Sequence, residues 1–176
     1  SAWEHARHRV VWLLILMLSA AITGSIITRY EDAISAVPLL VAFLPMLMDT
    51  GGNCGSQSAT LVIRGLALEE IRPRDALRVI RKELAVAAIV SAVLAAANGL
   101  RIYLQYHDSA IALVISLSLA ATVVQAKLVG CMLPIAAKQL HMDPAIMASP
   151  LITTIVDAGA VLIYFQAAAA LLRLPV

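Results

Sequence analysis

Charge is scarce in this sequence: only 14% of its 176 residues are Asp, Glu, Lys or Arg, where a soluble domain carries about a quarter. With 61% hydrophobic residues and a mean hydropathy of +0.90, a chain this short cannot hide its apolar side chains from water. Lipid is therefore the solvent for most of it, which excludes a disordered chain, a nucleic-acid module and a small secreted scaffold. The formal net charge of +2 is too small to call for a polyanionic partner. Cysteine is nearly missing. Cys54 and Cys131 lie in or beside apolar stretches, which argues against a structural disulfide, and a thiolate metal site needs more ligands at closer spacing. His5, His8, His107 and His141 are scattered through flanks and loops, so no imidazole site is expected. There is no initiator Met, so the chain reads as a piece of a longer one. No small-residue cleavage site follows the first apolar run, which reads as a span and not as a signal peptide.

What the sequence has is long apolar runs. A bilayer core takes roughly 20 helical residues to cross, and five segments qualify: about 10–28, 36–63, 76–99, 110–133 and 145–172. The third is entered through Pro73, capped by Asp75 and ended by Asn98-Gly99. The fifth is opened by Asp143-Pro144, an N-cap and a first-turn proline. The runs are too long and continuous for the alternating strands of a lipid-facing barrel. The expected fold is an all-α membrane protein with five transmembrane helices per subunit.

Five spans put the termini on opposite sides, and basic residues set which is inside. With the N-terminus cytoplasmic, the inner side holds Arg7, Arg9, Arg64, Arg72, Arg74, Arg78, Arg81, Lys82, Lys127 and Lys138. The outer side holds Arg29, Arg101 and Arg173. The expected localisation is the cell membrane, multi-pass, with the N-terminus cytoplasmic and the C-terminus external. Tyr30, Tyr103 and Tyr106 then suit an outer interfacial belt, and Lys127 is expected to snorkel toward the inner surface.

The second run is interrupted. Val37–Met48 is apolar and about 18 Å long at the helical rise. Then come Asp49-Thr-Gly-Gly-Asn-Cys-Gly-Ser-Gln-Ser58. Glycines 51, 52 and 55 with Pro45 disfavour a regular helix, and carbonyls freed there are tolerated only against protein or a watery cavity. Such oxygens suit a cation, as in the discontinuous helices of transporters. Close helix packing is the rival use of the glycines, but it leaves Asp49, Asn53, Gln57 and Ser58 unexplained. In the fifth run Asp157 lies near the bilayer midplane, and an intramembrane carboxylate is by default a functional hypothesis. Ser149, Thr153 and Asp157 are spaced i, i+4, i+8 and share a helix face. Pro150 could kink that helix and free one more carbonyl. Ser118, Thr122 and Gln125 in the fourth run form a weaker stripe that reads as interhelical glue. Met46, Met48 and Met132 read as packing.

Oxygen-only ligation selects hard cations. Mg2+ gives up its waters reluctantly and often binds through one or two carboxylates. One midplane Asp per chain is too few to strip it, so a hydrated ion on the axis of a homodimer, with two symmetry-related carboxylates, is the economical arrangement.

Two blocks of the sequence resemble the MgtE magnesium channels. One is Phe43-Leu-Pro-Met-Leu-Met-Asp-Thr-Gly-Gly-Asn-Cys-Gly-Ser-Gln-Ser-Ala-Thr60, followed by Arg64-Gly-Leu-Ala-Leu-Glu-Glu-Ile71. The other is Asp143-Pro-Ala, Pro150-Leu-Ile-Thr-Thr-Ile-Val-Asp157 and Tyr164-Phe165. Arg9-Val-Val-Trp-Leu13 fits the start of that family's membrane domain. The resemblance implies a homodimer with its pore on the dimer axis, lined by the second and fifth helices. It implies Asp157 as the metal-holding residue for hydrated Mg2+, which is both transported and pore-bound. Asn53 and the Gly51-Gly52 backbone match its pore segment, and Asp49, Gln57, Ser149 and Thr153 join them as pore-lining or supporting candidates. Residues 1–176 are then one transmembrane pore domain, without the cytoplasmic N-terminal and CBS domains that gate family members by sensing Mg2+. The implied partners are a second copy, the lipid bilayer and divalent cations, with no nucleic acid.

The expected function is thus a Mg2+ channel or facilitated transporter and not an enzyme. Two rivals are weighed. An intramembrane aspartyl protease could use Asp49 and Asp157 as a proton-sharing pair, but the Gly-x-Gly-Asp sequence such enzymes need is missing. A membrane scaffold without conduction is the other.

Overall fold

A computed structural model describes residues 2–147 and 149–174. These residues are mostly helical, joined by short turns, with no strand among them. Helix α1 spans Ala2–Arg29 and α2 Glu31–Ala36. A 3-10 segment, Pro38–Phe43, leads into α3, Leu44–Ala67. A second 3-10 turn, Pro73–Asp75, precedes α4, Ala76–Tyr106; α5 spans Ser109–Gln139. A third 3-10 turn, Pro144–Met147, precedes α6, Ser149–Leu172.

Local chemistry sets these boundaries. Pro38 and Pro45 sit in first turns, where a missing N–H costs nothing. The Asp108 carboxylate accepts from the Ala110 and Ile111 amides at 2.8 and 3.0 Å, satisfying two orphan donors of α5. His107 ends α4 in the left-handed region at φ 55°, so α4 runs seven residues past the Asn98-Gly99 stop expected from sequence. Asp143 accepts from Ala145 N at 2.9 Å, yet this turn remains 3-10 and α6 starts only at Ser149. Pro150 therefore stands in the first turn of α6 and does not kink it.

Among the described residues, four helices are long and apolar enough to cross a membrane: Arg9–Arg29, Pro73–Tyr106, Ser109–Gln139 and Pro150–Leu172. The second run expected as a span, 36–63, is not one helix: it holds the 3-10 segment and most of α3. The 24 residues of α3 reach about 36 Å, but its polar stretch keeps it out of the apolar set. The interruption also lies elsewhere than expected. Residues 49–58 are continuous α-helix and the irregular backbone is upstream, at Val37–Phe43. Their carbonyls are therefore tied up within α3 and not freed for a cation.

The glycines serve packing. A Cβ at Gly51 would meet Thr122 Cγ2 at 2.7 Å and Val156 Cγ1 at 2.8 Å, from two different helices. One at Gly130 would run into the backbone carbonyl of Gly55. α5 is central, packing on α3, α4 and α6, while α1 rests on α6. The core gathers Leu40, Leu47, Ile102, Ile115, Ile152, Tyr164 and Phe165. Tyr30 stacks on Phe165 at 4.8 Å and is 4% exposed, so it is a core residue and not part of an outer belt. The buried Tyr164 hydroxyl donates to the Leu40 carbonyl at 2.9 Å and pins the 3-10 segment. Outside this core, α1 exposes Val11, Leu13, Met17, Leu18 and Ile22, a surface suited to lipid or to another protein and not to water.

Candidate functional site

The faces of α3 have different jobs. Gly51 and Gly55 are buried against α5 and α6, Ser58 against α4 and α5, and Cys54 is buried too, whereas Asp49, Asn53, Gln57 and Thr60 are exposed. Continuous helix through 49–58 is what produces this division, since a spacing of three or four residues keeps side chains on one face.

Asp49, Gly52, Asn53 and Met48 of α3 meet Thr153 and Asp157 of α6 around an open pocket of about 180 Å³. At about 30 Å³ per water, it has room for several. Gly52 makes the closeness possible, because a Cβ there would lie 3.0 Å from Thr153 Cγ2. Asn53 Nδ2 donates to Asp49 Oδ2 at 3.2 Å, which orients that carboxylate. The Thr153 hydroxyl donates to the Pro150 carbonyl at 2.9 Å. Its proton is thus spent, and its lone pairs are left to accept. The polar side chains lining the pocket are two carboxylates, a hydroxyl and an amide, beside the Met48 thioether.

Of the residues expected from sequence, Asp49, Gly52, Asn53, Thr153 and Asp157 come together here. Gln57 faces a neighbouring polar groove with Asn53, Ser56, Thr60 and Leu61. Gly51 turns the other way, into the packing against Thr122 and Val156. The Ser149 side chain lies outside the described residues. Among those residues no three His, Cys, Asp or Glu side chains converge on a possible metal position. The pocket holds a pair of carboxylates, Asp49 and Asp157, both from this chain.

Two side-chain roles escaped the sequence reading. Met48 packs against the core as expected and also lines the pocket. Glu83, buried in α4, accepts from the Ser58 hydroxyl at 2.6 Å and lies 3.7 Å from Lys127 Nζ. Lys127 is 5% exposed and does not snorkel. The signal was present: Glu83 is an acid inside an apolar run, but it follows Arg78, Arg81 and Lys82 and passes for part of a basic loop. The α5 stripe is buried at Ser118 and Thr122. Among the described residues their hydroxyls and Gln125 Oε1 have no hydrogen-bond partner, so the stripe packs and does not bond across helices.

The family model for MgtE, described as a divalent cation transporter, matches residues 44–167. The magnesium transporter MgtE of Thermus thermophilus is 40% identical over 165 residues, covering 94% of this chain and 36% of that protein. The magnesium transporter MgtE of Bacillus subtilis is 35% identical over 172 residues, covering 98% and 38%. That of Enterococcus faecalis is 30% identical over 168 residues, covering 96% and 37%. The chain thus spans a little over a third of the length of these curated relatives. The matched stretch includes α3 and α6 up to Ala167, and hence every residue of the pocket.

Proposed function

The chain belongs to the MgtE family of divalent cation transporters, and from that premise we propose that it forms a membrane pore conducting hydrated Mg2+ past Asp49 and Asp157. The observation that carries this is the pocket itself: two carboxylates, a hydroxyl and an amide oxygen from two helices around space for several waters. Two unit negative charges match a divalent ion. Mg2+ keeps waters when few carboxylates are offered, and Thr153 and Asn53 can accept hydrogen bonds from them. Asp157 is the principal ion-holding residue, Asp49 the supporting one, and Gly51 and Gly52 let α3 sit close enough to α5 and α6 for both carboxylates to share the space.

The exposed stripe Asp49, Asn53, Gln57, Thr60 supports a dimeric pore. Polar side chains on a membrane helix cannot face acyl chains without large cost. Facing the same stripe of a second copy across water resolves this, and it places α3 and α6 at the axis. In this reading α3 crosses the bilayer as a fifth span. The N-terminus is then cytoplasmic and the C-terminus external, and residues 1–176 make up the pore domain. Paired carboxylates would also suit water activation in a protease, but the matched relatives are transporters.

The test is reconstitution of the chain in liposomes loaded with a Mg2+ indicator. Mg2+ influx above that of protein-free liposomes, without cleavage of membrane peptides, is the expected result. Peptide cleavage without influx, or neither, would overturn the proposal.

A further inference from the structure

Glu83, Ser58 and Lys127 come from α4, α3 and α5 and meet where those helices converge. All three are buried, at 8%, 0% and 5% exposed. The Ser58 hydroxyl is the hub: it donates to Glu83 Oε2 at 2.6 Å and accepts from Lys127 Nζ at 3.3 Å. The ammonium and carboxylate lie 3.7 Å apart. The stem of Lys127 is long enough to carry its charge outward, yet it stays inside.

A mechanical tie does not need charges here, because a buried ion pair is often no more stabilising than apolar residues of the same volume. Position is what distinguishes this pair. Ser58 is five residues beyond Asn53, about 7.5 Å along α3, and on the opposite face. The pair therefore stands behind the cation pocket at about the diameter of one helix. At that distance and an effective dielectric of about 20, an unbalanced ammonium would weaken binding of a divalent ion roughly a hundredfold before screening by water and salt.

We propose that Glu83 is the counter-ion that neutralises Lys127 behind the cation pocket, and that the two act through Ser58 as positioning residues for α3. This rests on the cation reading above. The pair has a sign, and a purely mechanical tie does not. Glu83→Gln leaves the buried positive charge unbalanced, whereas Lys127→Met removes it.

The experiment measures Mg2+ influx against Mg2+ concentration in proteoliposomes for the parent, Glu83→Gln, Lys127→Met and the double variant, with thermal midpoints in detergent alongside. Glu83→Gln should raise the half-saturating Mg2+ concentration about tenfold or more. Lys127→Met should not raise it, and the double variant should return close to the parent. Equal rises in the two single variants, or an unchanged Glu83→Gln, would overturn the proposal. If Glu83→Gln alone fails to fold, recovery of folding in the double variant supports the pairing and its absence refutes it. A parent without influx would refute the transport reading instead. The midpoints then decide the pairing, which requires a drop in Glu83→Gln that Lys127→Met reverses.

Discussion

Gly130→Ala is the substitution for which the structure gives the sharpest expectation. The added methyl would run into the Gly55 carbonyl, with the Gly55 carbonyl carbon at 2.9 Å and its Cα at 3.1 Å. All three atoms are backbone, so no rotamer change relieves the contact and α3 must move off α5. Overpacking costs typically 1–3 kcal/mol, and a backbone obstacle belongs at the top of that range. Ala returns about 1 kcal/mol of helix propensity, which leaves a net loss of about 2 kcal/mol. For a chain of this size that corresponds to a thermal midpoint roughly 4–8 °C lower. Gly24→Ala is the matched control, since nothing lies within 4 Å of a Cβ there. It should gain up to about 1 kcal/mol by propensity alone. Thermal unfolding in detergent, followed by loss of the folded peak in size-exclusion chromatography, reads both. A Gly130→Ala protein as stable as the parent would refute the close crossing of α3 and α5 on which the pocket depends.

Tyr164→Phe strands the buried Leu40 carbonyl that now accepts at 2.9 Å; it should cost about 1–2 kcal/mol, read as a lower thermal midpoint with α6 otherwise intact. Single cysteines placed in residues 68–72 should react with an impermeant thiol reagent from the cytoplasmic side, and one at Asp108 from the outside. Labelling of the 68–72 cysteines from outside would reverse the proposed orientation.

The apolar runs were legible because length and continuity depend on composition alone, and α1, α4, α5 and α6 lie where they were expected. Their ends were less legible. The α4 stop at His107 depends on a left-handed residue that no glycine or proline announces, and α6 begins late because Pro144–Met147 settles into a 3-10 turn. Residues 49–58 show why propensity misleads. Three glycines disfavour an isolated helix, but here each removed side chain lets α5 or α6 approach, and the packing outweighs the propensity. The pairing of α3 with α6 at one pocket was anticipated from Asp49, Asn53, Thr153 and Asp157. Asp49 and Asp157 were also weighed as a pair, but their register was not legible, because the fit between two helices far apart in sequence is set by the glycine contacts. Glu83 and Lys127 stayed hidden for the same reason: a charge on a single helix does not show its partner on another.

Mg2+ influx through Asp157→Asn in proteoliposomes tests the central claim most directly. Asn keeps the size and one oxygen but removes a charge from each pocket, where that charge offsets the cost of bringing a divalent ion to the middle of the membrane. The side chain is no harder to bury, so the protein should fold as the parent does. Influx should be abolished or greatly reduced, with Asp49→Asn less affected and Thr153→Ala between the two. Parent-like influx through Asp157→Asn, or a dead Asp49→Asn beside a conducting Asp157→Asn, would contradict the account.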